Sequence, residues 1–206
     1  EIGAVTGVQG ISWTEVTLRG VSNHAGTTPM SMRSDAGYVA AEIACFVRRL
    51  TREYGGAQVG TVGHLTFAPN LVNVIPNHVV MTIDLRNPDD AAMTAAERHL
   101  DAYLAALPER YGVSGHLERM ARTAMVPFDS DVQDLLAATA EELGLPYVRT
   151  MSGAGHDAQE VAATCPAAMI FVAGEHGGIS HTPREFSTPG ACAAGVGHAR
   201  NRTRRV

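Results

Sequence analysis

The sequence predicts a mixed α/β protein in two pieces: a ferredoxin-like βαββαβ domain, then an incomplete second α/β piece. Three observations carry this expectation. Apolar residues repeat with strand and helix periods in the order strand, helix, strand, strand, helix, strand up to about residue 122. The pattern changes over residues 122–128, and after Pro127 come a helix, a glycine-rich loop and a short apolar run. The 206 residues, 45% apolar and 18% charged, suffice for one large core or two small ones.

Residues 12–19 alternate, with Val16 and Leu18 on one side and Glu15, Thr17 and Arg19 on the other, as in a half-buried strand. From Asp35 onward Val39, Ile43, Phe46, Val47 and Leu50 recur at helical spacing, and Gly55-Gly56 stops that helix. Residues 59–67 read as a second strand. Residues 79–86 alternate cleanly, with Val79, Met81, Ile83 and Leu85 inward and Val80, Thr82, Asp84 and Arg86 outward. A second helix begins near Asp89 with Met93, Leu100, Leu104 and Leu107 on its stripe, and a strand over 115–122 closes the domain.

Beyond Pro127, Val132, Leu135, Leu136, Thr139 and Leu143 define an amphipathic helix ended by Gly144 and Pro146. Ser152-Gly153-Ala154-Gly155 opens a predicted helix over 156–164. Residues 167–172 form a predicted buried strand, and a Gly/Ser-rich loop over 174–180 carries His176 into His181. Residues 1–9 are expected to be a linker or the end of a catalytic-domain segment. Residues 10–122 form the first domain, and 123–206 a portion of another, too small and open to be complete.

Composition narrows the function. A net charge of −5 with no basic stripe argues against nucleic acid. No apolar run approaches the roughly 18 residues of a membrane-spanning helix. Glu1-Ile2-Gly3-Ala4-Val5 has no secretory signal and no initiator Met, as expected of a chain that begins mid-protein. Arg200, Arg202, Arg204 and Arg205 read as a frayed, solvated tail. Cys45, Cys165 and Cys192 are widely spaced and odd in number. Cys45 falls in the apolar helical pattern, which predicts a buried free thiol in a reducing, cytoplasmic setting.

Several residues are candidates for chemistry. Asn23-His24-Ala25-Gly26-Thr27-Thr28-Pro29-Met30 makes a tight turn after a strand, with an imidazole at its head. His24 either faces a ligand from this loop or bonds its own backbone. The amide of Asn73, in the Asn73-Val74-Ile75-Pro76 link, either orients a substrate carbonyl or serves the turn. Arg86 either captures a carboxylate bidentately or pairs with Asp84 on the same strand face. Gly155, His156 and Asp157 follow a glycine-rich turn that can present N–H groups to an anion, or simply start a helix. His181 sits in a loop after a strand, a usual home of ligands in α/β sheets. One His cannot hold a catalytic zinc, which needs about three protein ligands, and the chain has no HExxH and no CxxC. His99 and Asp101 flank the buried Leu100 and are expected to be solvated.

Taken together, segments 23–30, 73–76 with 83–86, 152–158 and 178–185 resemble the M20-type metallohydrolases. The resemblance is to their branch of N-carbamoyl-L-amino acid hydrolases, allantoate amidohydrolases and β-ureidopropionases, and it runs from residue 1 to about 190. Any one segment is weak, and all of them in order are specific. The resemblance implies a catalytic domain binding two zinc ions per site, or manganese or cobalt instead, with a ferredoxin-like lid that mediates homodimerisation. It implies that His181 is a metal ligand and that His24 stabilises the oxyanion in the partner subunit's site. Asn73, Arg86, Gly155 and His156 would hold a small carboxylate-bearing ureido substrate. In this family the other zinc ligands and a glutamate pair lie upstream of where residue 1 aligns. The chain is therefore expected to be a C-terminal half, inactive alone. Asn77 stands where the family usually has Gly, and residues 195–206 do not resemble its closing helix. A non-catalytic dimerisation module of the same fold, and an M20-type peptidase or aminoacylase, are the alternatives.

Overall fold

The computed structural model describes residues 1–203, with side chains described to residue 199. The chain divides into two compact units: Gly10–Met125, and Glu1–Gln9 together with the chain from Val126 onward.

In the unit Gly10–Met125 the order is β2 (Gly10–Arg19), α1 (Ala36–Tyr54), β3 (Val59–Ala68), β4 (His78–Asn87), α2 (Asp90–Arg110) and β5 (Ser114–Thr123). The sheet runs β3-β4-β2-β5 with every neighbour antiparallel. That is the ferredoxin-like arrangement predicted from the sequence. Local chemistry sets the helix ends. Asp35 caps α1 by accepting from the Tyr38 N–H at 3.0 Å, and Gly55 closes it at φ 61°, a backbone that favours glycine. Asp89 caps α2 by accepting from the N–H groups of Ala91 and Ala92.

The inner face of β2 and β4 supplies Val16, Leu18, Val79, Met81, Ile83 and Leu85. They pack against Val39, Ile43, Val47 and Leu50 of α1 and Met93, Leu100 and Leu104 of α2. Burying each such side chain contributes about 1.5–3 kcal/mol. Towards β5 the inner face turns polar. Arg119 donates to the hydroxyls of Ser12 and Thr14 and to Asp101, while Arg122 pairs with Glu97. Asp101 is thus ion-paired, and His99 lies edge-on to Phe46 with ring centroids 5.2 Å apart.

In the other unit, β1 (Ile2–Val8) is the central strand, bonded in parallel to β7 (Tyr147–Ser152). Its other edge pairs antiparallel with β8 (Met169–Val172) over Ile2 to Val5 and with β6 (Val126–Pro127) at Gly7 and Val8. Helix α3 (Ser130–Glu142) is capped by Asp129, and α4 (Ala158–Ala162) and α5 (Pro189–Thr203) follow.

Several expectations are corrected. Of the two readings of residues 1–9, the linker does not hold: residues 2–8 form a strand paired on both edges, with Ile2, Val5 and Val8 buried. Strand β7 was not expected: its side chains are mostly half-exposed and show no clean alternation. Helix α4 is shorter than residues 156–164, because both ends close with i→i+3 bonds, from Gln159 N–H to His156 O and from Thr164 N–H to Val161 O. Strand β8 is half-buried throughout rather than buried. On α3 the buried residues are Gln133, Leu136, Ala137, Thr139 and Ala140, whereas Leu143 is 41% exposed just past the helix end. Cys45 is exposed, because two residues beyond the buried Ile43 it has rotated to the opposite face of α1. The backbone of α5 continues to Thr203, so positions 200 and 202 fall within its span. Arg204 and Arg205 lie outside the described residues. Among the described residues no helix is long and apolar enough to cross a membrane.

Candidate functional site

Strand β2 leaves the sheet at Arg19, and Gly20 sets the course of the next loop. A Cβ there would lie 2.0 Å from the Ser34 carbonyl oxygen, so only glycine admits this approach. The Val21 N–H donates to that carbonyl at 2.9 Å, closing the loop on itself. The loop then docks on the β3–β4 connection. Ala25 N–H donates to Asn73 O at 2.8 Å, Ile75 N–H donates to Asn23 O at 2.9 Å, and His24 bridges Val74. His24 and Asn73 therefore share one rim, at the end of the sheet where Arg19 pairs with His78.

The His24 ring is exposed but not free to turn. Its Nδ1 accepts from the N–H groups of Gly26 at 3.0 Å and Thr27 at 3.2 Å. A nitrogen receiving two donors carries no proton in the neutral ring, so the proton sits on Nε2 as an available donor. The Thr28 hydroxyl donates to His24 O at 2.7 Å. Arg33 donates to the carbonyls of Ala25 and Thr28 from the next stretch of chain.

Arg86 is not brought to this rim. It pairs in register with Ile11 and Val59 near the far end of β4. At about 3.4 Å per residue, that places it roughly 25 Å along the strand from His78. Its Nε and Nη2 donate to the Asp84 carboxylate, the latter at 2.7 Å, with both side chains about a quarter exposed. The same-face pairing considered from sequence is thus the one that forms.

In the other unit, the loop after β7 holds Gly155 and His156. The buried Ser152 hydroxyl donates to Ala154 O at 2.8 Å and lies 3.1 Å from His156 Nε2. The His156 ring lies 5.9 Å from Phe171. His156 thereby props the glycine-rich turn. His181 sits in the loop after β8 at φ 58°, and His176 at φ 53°, a left-handed backbone that costs a non-glycine residue about 1–2 kcal/mol. The His181 N–H donates to Glu185 Oε2 at 2.8 Å, which holds the bend. The loops after β7 and β8 leave the sheet at opposite ends of β1, beside Val8 and Ile2 respectively.

Among the described residues no three His, Cys, Asp or Glu side chains converge as a metal site. His181 can offer one of the roughly three protein ligands that a catalytic zinc requires. The residues present thus do not make up such a site. Arg33 was missed in the sequence reading; its only sequence signal is a position shortly after the turn and just before the α1 cap.

Comparison with known proteins adds to this geometry. A family model described as peptidase family M20/M25/M40 matches residues 42–200. An N-carbamoyl-L-amino-acid amidohydrolase of Rhizobium meliloti is 38% identical over 95% of the chain and 47% of its own length. An allantoate amidohydrolase of Escherichia coli is 34% identical over 95% and 47%. A crystal structure of a hydantoinase/carbamoylase family amidase from Burkholderia vietnamiensis superposes with a TM-score of 0.91 at 36% identity, over 96% of this chain and 48% of that one. The chain spans about half the length of the curated relatives it matches.

Proposed function

Because the chain belongs to peptidase family M20/M25/M40, we propose that the protein hydrolyses the C–N bond of N-carbamoyl amino acids or related ureido acids. The observation that carries this reading is the His24 rim: an exposed imidazole with its proton directed to Nε2, beside Asn73. A donor held in place before reaction suits an oxyanion that develops during amide cleavage, because no reorganisation is needed when charge appears. The names of the similar amidohydrolases support the substrate class.

In this reading the Asn73 carboxamide orients the substrate, and Arg86 takes its carboxylate in place of Asp84. The Gly155 N–H, on the turn propped by His156, contacts the ureido group. Zinc, two ions per site, or manganese or cobalt, is the proposed cofactor, with His181 as one ligand and activation of water as its contribution. The roughly 25 Å between Arg86 and the His24–Asn73 rim is too far for one small substrate to span within one chain. A homodimer through the lid, with each lid serving two sites from its two ends, resolves that distance. The exposed edge of β3, with Val59 49% and Leu65 38% exposed, is a surface open to such pairing.

The test is hydrolysis, by the metal-loaded full-length protein that contains this chain, of a panel of N-carbamoyl-L-amino acids, allantoate, N-acetyl amino acids and dipeptides. Ureido compounds should be cleaved preferentially, and His24→Ala should lower turnover roughly 100-fold. Cleavage confined to peptides or acyl amino acids would overturn the substrate class. No hydrolysis by the full-length protein at all would leave a dimerisation module.

A further inference from the structure

We infer that Arg33 is a positioning residue for His24, acting through the backbone of the turn and not by touching substrate. The inference rests on the role proposed for His24. The guanidinium faces two carbonyls at once. Nη2 donates to Ala25 O at 2.6 Å and to Thr28 O at 3.0 Å, and Nε donates to Thr28 O at 3.1 Å. These are charge-assisted bonds, and the planar fork sets the spacing of the two carbonyls.

Those carbonyls bracket Gly26 and Thr27, whose N–H groups donate to His24 Nδ1. Thr28, 7% exposed, returns its hydroxyl to His24 O. The turn is therefore a closed circuit. Arg33 fixes the carbonyls, the carbonyls orient the peptide planes of residues 25–28, and two N–H groups fix the ring and its tautomer. Without the guanidinium, the Ala25 and Thr28 carbonyls lose their donor and the peptide planes are free to rotate. The two N–H groups then leave Nδ1, and the ring samples both tautomers and other rotamers. A lysine carries the charge but not the fork, so it can hold one carbonyl and not both.

Substitution of Arg33 in the metal-loaded full-length protein that contains this chain tests this, with two independent readouts. In the unsubstituted protein the His24 ring nitrogens should give the ¹⁵N resonances of a single neutral tautomer with the proton on Nε2. In Arg33→Ala they should move towards a tautomeric average. Turnover should fall roughly 10- to 100-fold, the scale of a catalytic group misplaced by about 1 Å, with KM changed less than about twofold. Added guanidinium ion should restore part of both, and Arg33→Lys should fall between. The double variant with His24→Ala should be no slower than His24→Ala alone. Unchanged ring resonances in Arg33→Ala overturn the inference, whatever turnover does. So does a loss of turnover that persists in the absence of His24. Altered resonances with unaltered turnover uphold the role of Arg33 and remove His24 from catalysis instead.

Discussion

Replacing Arg119 by Met should destabilise the Gly10–Met125 unit by about 2–4 kcal/mol, and most of that loss should be recoverable without restoring the charge. Arg119 reaches into the inner face of the sheet. Its Nη1 donates to Ser12 Oγ at 2.9 Å and to Thr14 Oγ1, and its Nη2 donates to Asp101 at 2.9 Å. Ser12 and Thr14 are each 1% exposed, so water cannot replace the guanidinium. Each orphaned buried hydroxyl costs about 1–3 kcal/mol, whereas removing both members of a hydrogen bond is nearly neutral. Asp101, whose side chain is 46% exposed, recovers its solvation, and Glu97 keeps Arg122 at 3.0 Å. The triple change Arg119→Met, Ser12→Ala, Thr14→Val should therefore be more stable than Arg119→Met alone. Trp13, the single tryptophan, lies on β2 between the two hydroxyl residues, so its fluorescence in urea reports on this unit specifically. With an m-value of about 1.5 kcal/mol per molar, the single variant's midpoint should fall by roughly 2 M. A single variant within about 0.5 kcal/mol of the parent, or a triple variant less stable than the single one, would refute the reasoning.

Two further outcomes follow from local geometry. Gly20→Ala should cost about 1–3 kcal/mol by the same fluorescence assay, because the new Cβ meets the Ser34 carbonyl at 2.0 Å and the backbone must shift; an unchanged midpoint would show that the loop yields freely. Burial, with Glu42 beside it and against a lowering from Arg49, pushes the Tyr103 phenol above its ordinary range. The folded state therefore favours the neutral phenol, a stabilisation complete below about pH 10 and lost as pH rises through the folded value. Relative to Tyr103→Phe, the parent should lose stability progressively above about pH 10, and parallel stability curves would contradict this.

The legible elements were those whose evidence is local. Helices α1 and α2 announce themselves through Val39, Ile43, Val47 and Leu50 and through Met93, Leu100 and Leu104, with aspartate caps before each. Strand β4 alternates because one face meets two helices and the other does not. Strand β7 was not legible, since its burial is partial and its partner β1 lies far away in sequence. Residues 2–8 read equally as a linker or the end of a domain segment, because a strand paired on both edges need not alternate. For His24 the backbone reading is the one that forms, through Nδ1, and it leaves the second ring nitrogen without a backbone partner.

Sequence by itself determined the order of elements in the first unit, its sheet topology class, and which residues carry polar chemistry. Periodicity, caps and turn residues are properties of neighbouring positions, and they survive without knowledge of the fold. Tertiary structure alone decided how those residues group. Asn73 and Arg86 are close in sequence, yet β4 between them is a rigid rod that holds them at opposite ends of the sheet. His24 and Asn73 are farther apart in sequence, yet backbone hydrogen bonds between two loops make them neighbours. Arg33 acquires its role only once the chain has turned back on the carbonyls of Ala25 and Thr28, because a donor's function is set by the acceptor it meets in space.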